Sequence, residues 1–272
     1  TRTPLPVVLV LEEAGALDLV TPFVRTALQE LRKAGLSIHL LAQSCLDPGT
    51  AKCTYGTGAF LLAQLGTVAA RSAHGLATSV AWQLRDQVRY CADGQVYTAA
   101  SAVRWLVDLG LIDGAGQLDT LAAPASDGVL CVPALAGLAA PWWDAGATAS
   151  LTGMTLSTGR GHLVRAVLEG IAAQVAVLAT LAGSDLGTPL TRLRADGGLT
   201  RSRVLMQAQA DLAQLPVDVY PSGHATALGA AACARLALDP ALTLAEATGG
   251  WQPSATYEPV WTADQAADHP AH

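Results

Sequence analysis

Apolar positions along this chain recur with two different periods, and strand-like and helix-like stretches alternate. Residues 7–11 form a short β-branched run that reads as a buried strand. Thr21-Pro22 offers an N-cap followed by proline at the first helical position, and Phe23, Ala27, Leu28 and Leu31 make an apolar stripe that Gly35 would end. Residues 36–41 read as a second strand, so the opening predicts a β-α-β unit. Residues 53–62 predict two short strands joined by Tyr55-Gly56-Thr57-Gly58. Further strands are expected at 76–82, 88–91, 129–134, 193–195 and 217–220. Residues 97–111 predict a helix with Ala99, Val103, Leu106 and Leu109 on one face. The clearest helix spans 161–182. Leu163, Val167, Ile171, Val175 and Leu178 recur there at steps of four and three, with Arg165 and Glu169 paired on its polar side. Leu205, Ala208, Leu212 and Leu215 mark the inward face of the next helix, residues 226–238 a small-residue helix, and the tail after Trp251 an irregular segment. This alternation indicates an α/β domain without internal repeats.

Composition narrows the class. A chain of 272 residues with 51% apolar content can bury a substantial core as one large or two small domains. Only 14% of residues are charged, against about 25% in ordinary domains, which leaves room for a partner-covered surface. The net charge of −6 and the lack of a basic run argue against a nucleic-acid partner. They leave ATP open, because backbone amides hold phosphates without net charge. Five cysteines with no C-x-x-C pair disfavour a disulfide framework and a zinc site and suit a reducing cytoplasm. The first six residues lack a leader's charged start, and the opening threonine suggests that sequence upstream has been lost. Arg165 and Glu169 interrupt the apolar run at 163–181, so no membrane span is expected.

Three small-residue segments are candidates for chemistry or close packing. Gly56-Thr57-Gly58 puts a hydroxyl between two glycines, which suits a phosphate and equally suits a plain hairpin. Asp196-Gly197-Gly198 lies between a strand and a helix, where backbone amides can meet an anion or simply turn the chain. Residues 226–231 are small enough for close helix packing, not chemistry. Trp142 and Trp143 read as fillers of a loop-covered core rather than a stacking platform, and His162 and His224 as helix-start residues. No Ser-His-Asp order or metal-ligand spacing emerges. The residues alone therefore describe an acidic, cytoplasmic α/β domain with phosphate-contacting turns and no named reaction.

Taken together, the segments resemble the C-terminal domain of the FGGY family of carbohydrate kinases, with glycerol kinase as its nearest branch. Ala51-Lys52-Cys53-Thr54-Tyr55-Gly56-Thr57-Gly58 is similar to the family's A-K-N-T-Y-G-T-G turn. Gly75-Leu76-Ala77-Thr78 and Ala81-Trp82-Gln83 follow, then Val132-Pro133-Ala134, Gly137-Leu138 and Ala140-Pro141-Trp142-Trp143-Asp144. His162, Arg165, Glu169, Gly170 and Gln174 fit the long family helix. Leu193-Arg194-Ala195-Asp196-Gly197-Gly198, Leu205-Met206-Gln207 and residues 226–231 complete the match, which runs from about residue 40 to 251.

The resemblance implies an actin-like ATPase (ribonuclease H-like) domain, a mixed sheet with flanking helices. It divides the chain into an unmatched segment at 1–39, the nucleotide-binding domain at 40–251 and a tail at 252–272. It implies ATP and Mg²⁺ as cofactors and a polyol such as glycerol as substrate, bound only with a missing N-terminal domain. Nucleotide contacts would come from Gly56, Thr57, Gly58, Ala100, Arg104, Gly197, Gly198 and Ser202. Departures are visible. The family has glycine at position 100, glutamine at 104 and asparagine at 202. Ala176 and Val177 replace a frequent Arg-Asp pair, and Thr148 replaces an arginine. Counting back from Thr57 by the family spacing puts Gly35 where the catalytic aspartate belongs, and Asp47 belongs to a later turn. The expected function is thus half of a polyol kinase, incomplete or inactive alone. The alternative is a non-catalytic interaction or dimerisation module, a homo-oligomer among its forms.

Overall fold

The computed structural model describes residues 38–84, 87–239 and 241–269. The strand at 7–11, the helix at 21–35 and the Gly35 position lie outside these residues. A seven-stranded mixed sheet organises the remainder, in the order β3-β4-β2-β1-β7-β8-β9. Its strands are β1 (Thr50–Tyr55), β2 (Ala59–Gly66), β3 (Ala77–Leu84), β4 (Gln87–Val96), β7 (Arg192–Asp196), β8 (Val217–Val219) and β9 (Ala255–Tyr257). The β1-β2 and β3-β4 pairs are antiparallel, whereas β1, β7 and β8 run parallel. A two-stranded ribbon, β5 (Leu130–Val132) with β6 (Ser150–Thr152), stands apart from the sheet. This is the mixed sheet with flanking helices that the resemblance implies.

Strand alternation divides the β1 side chains between the two faces of the sheet. Ala51, Cys53 and Tyr55 enter the main core, which includes the long helix α4 (Arg160–Leu186). That side also carries α2 (Ala100–Asp108) and α5 (Arg203–Ala213), and the short α3 (Leu118–Leu121) packs against α4 and α5. The opposite face packs α1 (Ile38–Ala42), α6 (Ala225–Leu238) and α7 (Leu244–Thr248) against one another, and Leu40, Leu41, Trp82 and Cys91 share a smaller cluster there. The helix α4 has the length and hydropathy to cross a membrane, yet 83% of its most apolar stretch is buried within this fold. Gly187, at φ 75°, ends it in a left-handed cap.

Several expectations change. Residues 38–41 belong to a helix rather than a strand, because a short apolar run carries no decisive period. Leu109, assigned to the inward face of its helix, lies just past α2 and is 54% exposed. Arg165 and Glu169 do pair, at 2.5 Å, but Glu169 is buried and Arg165 largely covered rather than on a polar side: α4 is covered nearly all round. Trp142 and Trp143 are 46% and 52% exposed, so they do not fill a core. Trp143 Nε1 instead donates to the Gly75 carbonyl at 2.7 Å. The tail is not irregular. β9 pairs with β8, and α8 (Ala263–Ala267) follows. Asp211 on α5 fastens this tail by accepting the Val260 and Trp261 amides at 2.6 and 3.2 Å.

Candidate nucleotide site

Both glycine turns arise at one end of the sheet, because β1 and β7 are parallel neighbours in register, Thr54 beside Asp196. In open α/β sheets the carboxyl ends of parallel strands are where ligands bind. Tyr55 ends β1 and leads into Gly56-Thr57-Gly58, while Asp196 ends β7 and leads into Gly197-Gly198. The turns touch. Gly197 sits at φ 100°, and a Cβ there would collide with the Tyr55 carbonyl. Gly58 is equally constrained, since a Cβ would strike the Val96 carbonyl. These two glycines are required by close backbone approach. Gly198 differs: no atom lies within 4 Å of where its Cβ would stand.

The first turn is tied to the start of α2. The Thr57 carbonyl accepts the Ala99 amide at 2.9 Å and the Ser101 hydroxyl at 3.0 Å, and the Gly56 carbonyl accepts the Ala100 amide at 3.0 Å. Ala100 is therefore held directly beside the turn. Thr57 is exposed at its tip. Arg104, one turn further along α2, is 76% exposed and pairs with Asp108 at 2.9 Å.

Beside Gly198 opens a cavity of about 160 Å³, lined by Ala115, Gly116, Asp119, Gly198, Arg201 and Ser202 among others. Ser202 is the N-cap of α5. Its hydroxyl accepts the Leu205 amide and donates to Asp119 at 2.7 Å. Two of the residues picked out by resemblance, Gly198 and Ser202, thus share one cavity, while Ala100 and Arg104 lie on α2, whose start is tied to the first turn. Asp119 had no signal in the sequence, because it stands 83 positions from the hydroxyl it accepts. Burial pushes the Asp119 carboxyl pKa up, but hydrogen bonds from Ser202, Arg203 and Val204 outweigh this and hold it below its ordinary value.

Behind the turns, Lys52 is buried on the sheet's second face. Its ammonium donates to Thr54 Oγ1 at 2.8 Å, which donates to Asp196 at 2.5 Å. Burial lowers the Lys52 pKa, and the Asp196 charge acts against that shift. The His162 ring caps its helix as expected, accepting the Gly159 amide through Nδ1 at 2.9 Å. His224 holds the N-cap position of α6 without a side-chain bond to the helix. All five cysteines are free thiols. Among the described residues no three His, Cys, Asp or Glu side chains converge as metal ligands.

Residues 51–238 match the model of the FGGY family of carbohydrate kinases, C-terminal domain. Glycerol kinase of Gloeobacter violaceus is 48% identical over 200 residues, 72% of this chain and 40% of that protein. Glycerol kinase of Bordetella parapertussis is 44% identical over 229 residues, 82% of this chain and 45% of that protein. The crystal structure of Plasmodium falciparum glycerol kinase with ADP superposes with a TM-score of 0.80 at 35% identity, covering 85% of this chain and 47% of that one. Xylulose kinase from Rhodospirillum rubrum gives 0.70 at 28% identity, over 82% and 45%. The chain spans less than half the length of these relatives. With the family's turns, sheet and long helix all present, the chain belongs to the FGGY family of carbohydrate kinases and corresponds to its C-terminal domain.

Proposed function

We propose that this chain is the nucleotide-binding half of an ATP-dependent polyol kinase of the glycerol kinase type, acting in the cytoplasm. The supporting observation is the convergence of Gly56-Thr57-Gly58 and Asp196-Gly197-Gly198 beside the cavity that holds Gly198 and Ser202. In this reading Gly56, Thr57 and Gly58 meet the phosphates through amides and a hydroxyl. Ala100, Gly197, Gly198 and Ser202 surround the base and ribose, and Arg104 stays on the adenine side once released from Asp108. Mg²⁺ would arrive on the phosphates, since this ion keeps several waters and needs only one or two carboxylates, with Asp196 beside the turns. When bound it would neutralise charge on the transferring phosphoryl group. We take the domain as residues 40–251, extended by the tail that completes the sheet.

Such a half-site binds without turning over. Phosphoryl transfer depends on positioning two substrates and stabilising charge, and the polyol, glycerol by family likeness, belongs with an N-terminal domain. The family spacing also puts Gly35 where a catalytic base is expected, and losing a general base typically costs about 10²–10⁴-fold in rate. Calorimetry with ATP and ADP, with and without Mg²⁺, tests the reading. Binding in the micromolar to millimolar range, weakened in Thr57→Ala and abolished in Gly198→Trp, supports it. No binding by a chain with a cooperative melt removes it.

A second reading, a non-catalytic interaction module, draws on the exposed apolar side chains between β5 and α4. Trp142, Trp143, Met154 and Leu156 are 46%, 52%, 54% and fully exposed. Sedimentation separates the two: self-association weakened by Trp142→Ser with no nucleotide binding favours the module.

A further inference from the structure

A second cavity, of about 190 Å³, lies where the β5-β6 ribbon meets α2 and α4. It shares no residue with the cavity beside Gly198. Its walls are Ala102 and Trp105 from α2, Cys131 from β5, Leu151 from β6 and Val167 from α4. Pro133, Leu135 and Ala149 line it as well, and no charged side chain does. The one hydroxyl, on Ser150, belongs to an exposed residue and can stay in water. Burial pushes the Cys131 thiol up to about 12, so it is a neutral, soft wall at ordinary pH. Three of the side chains, Ala102, Cys131 and Ala149, are small, which leaves space between the elements. The backbone around that space is pinned. β5 lies so close on α4 that a Cβ at Gly170 would strike the Cys131 carbonyl, and the Thr98 hydroxyl donates to the Pro133 carbonyl. Held at both points, the ribbon cannot sink inward to close the cavity.

We propose that this cavity is a binding site for a small, uncharged aromatic molecule, one ring in size, separate from the nucleotide turns. Volume and lining set the class. An engineered protein cavity of about 150 Å³ with apolar walls stays dry and takes up benzene. A water held in such a space needs about two to four polar partners. The side chains here offer one exposed hydroxyl and a weakly bonding thiol. Half-buried Trp105 adds a ring that a second ring can meet edge-on or offset. A charged ligand would give up its hydration without gaining a counter-charge. Occupancy needs neither a nucleotide nor a partner domain.

The test is titration of the full 272-residue chain with toluene, followed by saturation-transfer NMR and by the melting temperature. We expect a Kd of about 1 mM, modest for so small a ligand, and a melting temperature that rises with toluene. Benzoate, the same ring carrying a charge, should bind about tenfold more weakly or worse. Ala149→Leu and Leu135→Phe add carbon to the cavity from positions that are not fully buried, so each should fold. Both should weaken toluene binding about tenfold or more while leaving the toluene-free melt unchanged or raised. If one variant does not fold, the other carries the comparison, and the wild-type titration stands by itself. A folded wild type that takes up no toluene overturns the inference, as does binding that survives both substitutions. Benzoate binding as tightly as toluene overturns the apolar class of ligand. None of these outcomes bears on the nucleotide reading, so the two stand or fall separately.

Discussion

Adjacent glycines in one turn are under opposite constraints. Gly197 combines a left-handed φ of 100° with the Tyr55 carbonyl pressed against its α-carbon, so Gly197→Ala must shift two strands. We expect a loss of about 2–3 kcal/mol, from backbone strain plus overpacking, visible as a lower midpoint in urea. Gly198 faces open space, and Gly198→Ala should change stability by only about 0.5 kcal/mol while placing a methyl group in the cavity. Equal destabilisation by the two substitutions would contradict this account of the turn. The glycine pair was visible in the sequence as a motif, but which glycine serves packing and which serves space was not. That depends on β1, a segment more than a hundred positions away.

At the scale of elements, α4 carries a buried acid. Glu169 is 2% exposed and bonded to Arg165 at 2.5 Å and His269 at 3.4 Å, which joins the C-terminal segment to the core helix. Burial raises the Glu169 pKa, but hydrogen bonds from His269 and Arg165, with the Arg165 charge, outweigh burial and leave it below its ordinary value. A folded pKa below the unfolded one means that the stabilisation is complete above the unfolded value of about 4.3 and fades as pH falls through the folded value. Glu169→Gln should cost about 3 kcal/mol near neutrality, by leaving the largely covered Arg165 charge without its counter-charge. The difference from wild type should shrink in acid, and melting curves from pH 7 to 3 would check both. The tail is fastened by Asp211 as well. Asp211→Ala removes the acceptor for two amides and should expose residues 255–269 to limited proteolysis at protease concentrations the parent resists.

For the whole molecule, ligand linkage offers a test that needs no partner domain. If the turns and cavity form a nucleotide site, ADP at a hundred times its Kd should stabilise the chain by about 2.7 kcal/mol. For a chain of this size that is a rise of roughly 5–10 °C in melting temperature. Thr57→Ala, at an exposed position, should reduce this shift while leaving the unliganded melt almost unchanged. No shift at millimolar ADP, with or without Mg²⁺, would count against the site.

By itself the sequence determined the class of fold, the strands flanking Gly56-Thr57-Gly58, the course of α4 and the family, because local periodicity and ordered motifs record nearest-neighbour geometry along the chain. It misassigned residues 38–41, the surroundings of the Arg165–Glu169 pair, the two tryptophans and the tail. Each of those depends on contacts distant in sequence: α6 over α1, the strands and α5 around α4, the Gly75 carbonyl that holds Trp143, and β8 beside β9. Only the tertiary structure decided that Asp119 holds the Ser202 proton and that Gly198 opens onto a cavity. Hydrogen bonds across 83 positions leave no period in a sequence, since the residues that make them meet only after the sheet and helices have closed.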